Sequence, residues 1–168
     1  FGWAVLGGFL LTSTKNWVKI RGYHGRVLIV LTLFWLIERI GMSFATAIGP
    51  LAFTISNNLF LVSMIALLLW TLLRHRSNDT FRAENWAFLV MLPSFLVAKN
   101  LLLSDGYFAY GSSMAIGLFR LAFLVMLERT LTQFMKNVFQ VSILRHPQLD
   151  RAIKLLAVTL IFASAMPP

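Results

Sequence analysis

The sequence predicts an all-α protein, a polytopic bundle of about six transmembrane helices, and three observations carry that prediction. Apolar residues make up 58% of the 168-residue chain and charged residues only 12%, with a mean hydropathy of +0.77. The apolar residues gather in six long windows. The basic residues fall in alternate connections between those windows. A soluble domain carries about a quarter charged residues, so too little polar surface is present to cover a globule in water. An ordinary soluble enzyme, a disordered chain and a nucleic-acid binder are therefore excluded, in spite of a net charge of +9. With no cysteine there is no disulfide framework, no thiolate metal site and no CxxCH haem attachment.

In chain order, the first window covers residues 1–11 and leads to a loop at Ser13. The second, 27–48, is interrupted by Glu38-Arg39, and the third, 51–73, has no charge. The fourth, 86–103, carries Lys99 near its end, and the fifth, 107–127, contains Arg120. The sixth runs from about 152 to 166. A spanning helix needs about 20 residues at 1.5 Å each; the second to fifth windows meet this and the outer two fall short. Leu131, Phe134, Met135, Val138 and Phe139 recur at helical spacing, as in a cytoplasmic extension of helix five or an interfacial amphipathic helix. His146-Pro147 would end that stretch.

Both ends lie in apolar runs, Phe1 at one and Met166-Pro167-Pro168 at the other, and no basic n-region marks a signal peptide. The expectation is a single transmembrane helical domain over residues 1–168, cut from the interior of a larger multi-pass protein. Its partners are then the lipid bilayer and the parent protein's remaining helices, with no role for nucleic acid.

Orientation follows from the connections, whose Lys and Arg counts run 4, 0, 3, 0, 5. Twelve of the 15 basic residues thus share one side. The positive-inside rule makes that side cytoplasmic, which places loops 12–26, 74–85 and 128–151 in the cytoplasm. Trp70 and Trp86 fall at that interface and Tyr107 and Tyr110 at the opposite one, as aromatic belts do. Ser43/Ala47, Ala45/Gly49 and Ser113/Gly117 have the small-residue spacing that lets membrane helices approach closely.

Ionisable groups inside the spans are the default place to look for function. Counting 1.5 Å per residue puts Glu38 about 16 Å and Arg120 about 12 Å from the cytoplasmic end, near mid-bilayer. Glu38 and Arg39 are about 100° apart around a helix and face each other poorly, so an interhelical Glu38–Arg120 pair is expected. Its plainest role is to hold two helices in register. Its functional role would be contact with a substrate, ion or cofactor carboxylate. Asn57, Asn58, Lys99 and Asn100 form a second polar layer, about 20 Å or more from the cytoplasmic side. There Lys99 is expected to snorkel outward, and Asn57 and Asn58 to bond between helices. His24, His75 and His146 fall in loops, where none projects into the bundle as a haem ligand would. The seven methionines read as core filler. No H-E-x-x-H, G-x-S-x-G, P-loop or G-x-G-x-x-G is present, so the sequence shows no catalytic constellation.

The segment Gly8-Phe9-Leu10-Leu11-Thr12-Ser13-Thr14-Lys15-Asn16-Trp17 resembles the GFLLT…NW segment of the NnrS family. Trp35 and Arg39 resemble a W…R pair in that family's next helix. Arg120, Glu128-Arg129-Thr130 and Phe134 resemble its later R…(G/E)R…F stretch. The positions carried over are Asn16, Trp17, Arg39 and Arg120. The resemblance implies a multi-pass bacterial inner-membrane protein of the nitric-oxide response that contains haem and copper. It also implies a parent of about twice this length, with a histidine-containing motif just before the position of Phe1 and metal ligands outside these residues. Arg39 and Arg120 would then meet haem propionates or internal carboxylates. Two other readings stand beside it. One is a transporter or channel with Glu38, Arg39 and Arg120 along a polar pathway; the other is an assembly subunit whose buried charge is structural.

Overall fold

The computed structural model describes residues 2–79, 81–82, 85–104, 106–141 and 146–164. Six α-helices follow one another: α1 (Gly2–Trp17), α2 (Arg26–Ser43), α3 (Pro50–Arg74), α4 (Asn85–Leu102), α5 (Phe108–Val138) and α6 (Pro147–Ser164). A 3-10 turn (Arg76–Asn78) follows α3, and no strand occurs among the described residues. The fold class is the predicted helical one. The chain divides into two compact units, residues 1–82 and 83–168.

In the first unit α1 and α2 both pack on α3. The inward stripe of α3 runs Asn57, Phe60, Leu61, Met64, Ile65, Leu68, Thr71 and Leu72, the three- and four-residue spacing of one helix face. Only Leu31, Glu38 and Gly41 of α2 are buried, while Ile29, Val30, Leu33, Leu36, Ile37 and Ile40 are exposed. This helix turns a carboxylate inward and presents an outer surface of branched aliphatics. Gly41 permits the close approach of α2 to α3, since a Cβ there would lie 2.4 Å from Ser56 Oγ.

In the second unit α5 lies between α4 and α6. Gly111 at its start faces the last turn of α4, where a Cβ would stand 2.6 Å from the Leu102 backbone nitrogen. One turn pair further on, Phe95 and Phe119 meet edge to face at 5.3 Å. Pro93 is accommodated inside α4. Next to it Ser94 Oγ donates to the Val90 carbonyl of its own helix.

Four element boundaries differ from the sequence reading. Helix α1 continues through Ser13 to Trp17, because the Thr12 and Thr14 hydroxyls donate to carbonyls one turn back and so carry polar side chains on helical backbone. Helix α2 stops at Ser43 instead of reaching 48. Residues 44–47 form a turn, and Gly49 is extended ahead of Pro50, which starts α3. Helix α5 absorbs the amphipathic stretch as a continuous extension to Val138; residues 142–145 of that stretch lie outside the described residues. Pro147 opens α6 instead of closing the helix before it, its missing N–H being harmless in a first turn. The Ser43/Ala47 and Ala45/Gly49 pairs fall on the end of α2 and its turn, and a Cβ at Gly49 meets nothing within 4 Å. They pack no helix pair.

Among the described residues three helices, α3, α4 and α5, are long and apolar enough to cross a membrane. The expected second span is shorter than its apolar window, and its 18 residues include Arg26, Glu38 and Arg39. Helix α5, with 31 residues, is about 46 Å long. That exceeds a hydrocarbon core of about 30 Å, so the helix is longer than one crossing requires.

Gly111→Ala should be destabilising by about 1–3 kcal/mol through overpacking against α4 backbone, and should lower the thermal midpoint in detergent. Gly8→Ala on α1, where a Cβ meets nothing within 4 Å, should leave it unchanged or raise it. Equal midpoints for the two variants would contradict this packing.

Candidate functional site

Each unit holds one polar cluster within its helices. In the first, Glu38 is 1% exposed and its Oε1 accepts a hydrogen bond from Arg39 Nη2 at 2.5 Å. Depth alone pairs Glu38 with Arg120; the structure gives this carboxylate an ion pair with its sequence neighbour. The 100° between their Cα–Cβ directions is bridged by the length of the arginine, which wraps back around the helix while its side chain stays 38% exposed. Arg39 Nε is buried and has no hydrogen-bond partner among the described residues. Asn57 is buried on α3, and Asn58 donates to the Thr54 carbonyl of its own helix.

Trp35 lines a groove of about 320 Å³ between α1 and α2, with Gly8 and Leu11 on one side, Thr32 on the other and Phe60 of α3 against it. Of the two terminal residues of the GFLLT…NW segment, Trp17 is buried at the end of α1 and Asn16 is exposed. In the following connection the Tyr23 hydroxyl donates to Thr71 Oγ1 at 2.6 Å, tying that loop to the last turns of α3. Burial pushes the Tyr23 hydroxyl above its ordinary pKa, with the Thr71 hydrogen bond acting in the opposite sense.

The second unit carries a buried ionic layer that joins all three of its helices. Arg129 of α5 is fully buried; its Nη2 donates to Asn85 Oδ1 at the start of α4, 2.8 Å away. Its guanidinium lies 4.8 Å from the Phe88 ring centroid, within cation–π range. On the neighbouring position Glu128 pairs with Lys154 of α6 at 2.7 Å, and the lysine side chain is 2% exposed. Arg129 and Lys154 both count among the loop charges in the sequence reading, and both are in fact inside the bundle. A signal for Arg129 was present: it continues the inward stripe Leu118, Ala122, Val125 at spacings of four, three and four.

The remaining intramembrane candidates separate. Lys99 is buried, 5% exposed, so it does not snorkel to the surface, and Asn100 donates to the Leu96 carbonyl one turn back. Arg120 is exposed and makes no hydrogen bond, ion pair or ring contact among the described residues. It lines a groove of about 730 Å³ between α5 and α6, whose other walls are Gly117, Leu121, Leu124, Leu160 and their neighbours.

None of these residues makes a metal centre. No group of three His, Cys, Asp or Glu that could hold a metal ion occurs among the described residues. His24 bonds through Nδ1 to the Gly22 carbonyl, His75 to the Thr71 carbonyl, and His146 is exposed. Neither groove is lined by histidine or methionine.

A family model described as NnrS protein matches residues 1–168. The chain belongs to the NnrS family. No curated protein and no solved structure matches it. Within this NnrS chain the quoted resemblances acquire distinct positions: Trp17 is a buried anchor, Arg39 pairs with Glu38, and Arg129 holds α4 to α5.

In the Glu128–Lys154 pair the buried member is Lys154, so the two halves should not be equivalent. Glu128→Gln leaves an ammonium without its carboxylate in the bundle and should cost about 3 kcal/mol or more, whereas Lys154→Met should cost less because Glu128 keeps some access to solvent. The Glu128→Gln/Lys154→Met double variant should melt above the Glu128→Gln single variant. Thermal unfolding in detergent measures all three, and additive losses would refute the coupling.

Proposed function

We propose that this NnrS-family chain belongs to a bacterial inner-membrane protein of the response to nitric oxide and nitrosative stress, which binds haem and copper in its full-length form. The observation that carries the proposal is the family match over residues 1–168; the three apolar helices long enough to span a membrane agree with it. Haem and copper would supply the chemistry of a gaseous diatomic ligand. No group of three His, Cys, Asp or Glu that could hold a metal ion occurs among the described residues, and the proposal assigns the ligands to residues outside this set. What these residues contribute is scaffold: the ionic layer fixes α4, α5 and α6 to one another. Arg39, with Nε lacking a partner among the described residues, is the cation available to a carboxylate-bearing group in the first unit.

The same reading places residues 12–26, 74–85 and 128–151 on the cytoplasmic side. Withdrawing buried Arg129 and Lys154 from the last connection changes the basic count from 4, 0, 3, 0, 5 to 4, 0, 3, 0, 3. The alternation survives, which supports the orientation.

Two measurements test these statements. Purified full-length protein should show a Soret band and bound copper by metal analysis; neither band nor metal would sink the cofactor proposal. For orientation, single cysteines at exposed Ser77 and Ser104 suit a chain that has none of its own. An impermeant maleimide applied to spheroplasts should label the Ser104→Cys variant directly and the Ser77→Cys variant only after lysis. The reverse pattern would invert the topology.

A further inference from the structure

Arg120 presents a contradiction within the second unit. It lies roughly 18 Å along α5 from Phe108, near the middle of a hydrocarbon core of about 30 Å. Its side chain is exposed and has no partner among the described residues. A guanidinium at that depth does not face lipid tails; such charges meet an opposite charge, a polar cavity or another helix. The surface around it is a groove between α5 and α6 walled by apolar side chains, with Ile116, Leu124 and Leu160 exposed along it.

We propose that this groove docks a membrane-spanning helix from outside these 168 residues, and that the helix carries an Asp or Glu at the level of Arg120. Charge complementarity selects the occupant. An apolar helix fills the aliphatic walls, and one carboxylate meets the guanidinium in a charge-assisted, two-point hydrogen bond. A phospholipid headgroup fits less well, because phosphates lie at the membrane surface, more than ten ångströms from a mid-bilayer position. Helical side chains also lean toward the N-terminus, which turns Arg120 along its own helix and away from the α5 C-terminal interface. A second copy of the chain fits poorly as well. Its carboxylate inside an apolar window, Glu38, is buried and paired with Arg39. The docking is independent of haem and copper, since it requires only Arg120 and the groove.

The test uses the full chain in native membranes, with the photo-crosslinking amino acid p-benzoylphenylalanine replacing Ile116 on the groove wall. Mass spectrometry of the adduct should identify an apolar, membrane-spanning peptide from outside residues 1–168 that contains an Asp or Glu. The yield should fall at least tenfold in Arg120→Gln and stay within about twofold in Arg120→Lys. Replacing the identified acid by its amide should reproduce the Arg120→Gln loss. Arg120 makes no hydrogen bond, ion pair or ring contact among the described residues, and equal thermal midpoints for the two arginine variants separate lost docking from misfolding. Lipid adducts alone, a peptide from residues 1–168, a peptide without a carboxylate, or a yield indifferent to Arg120→Gln would each overturn the proposal.

Discussion

Arg129 sits fully buried in the middle of a three-helix unit, and the surrounding helices are arranged around the cost of that charge. Desolvating a guanidinium is unfavourable by several kcal/mol even after relaxation, and the start of α4 supplies groups that offset it. Asn85, the first residue of α4, presents its carbonyl oxygen, and Phe88 one turn later presents the face of its ring. Glu128 occupies the adjacent position on α5 and brings in Lys154 from α6. The requirement that each buried charge be met inside the bundle thereby sets which turn of α4 and which turn of α6 lie beside this turn of α5.

The same constraint explains the two ends of that layer in sequence. Helix α5 cannot stop at the close of its most apolar run, because its charged residues are needed one turn further on. Helix α6 cannot start at its first purely apolar residue, because Lys154 has to stand in its second turn, beside Glu128. Packing elsewhere is limited by backbone approach instead of charge. Gly41 against Ser56 and Gly111 against the end of α4 mark where helices meet without an intervening side chain. Together these contacts describe a scaffold of lipid-facing aliphatics around small residues and a few compensated charges.

Arg39 and Arg120 illustrate two outcomes for a cation placed in an apolar helix. Arg39 is long enough to reach the carboxylate beside it, so this ion pair lies within α2. Arg120 has no acid among the residues that α5 and α6 bring near it, and it stays on the wall of an open groove. Lys99 follows a third course, buried in α4 with Asn100 bonded back to its own helix. Depth within the membrane does not discriminate among the three; the reach of the side chain and the identity of the facing helix do.

The helical class, the number of helices and the places where charge interrupts them were all legible in the sequence, because hydropathy and the alternation of basic connections depend only on composition along the chain. The family was legible too, in the segment from Gly8 to Trp17 and the W…R and R…ER patterns. Boundaries were less so, since Thr12 and Thr14 satisfy their hydroxyls on helical backbone and Pro147 can begin a helix as readily as end one. Tertiary structure alone decided the pairings. Arg129 and Lys154 read as solvated charges until α4 and α6 are placed beside α5. The Glu38–Arg39 pair escapes an argument from helix angles, because such angles describe where Cβ points and not how far an arginine reaches. A sequence specifies which charges must be compensated; only the packed helices determine which group does it.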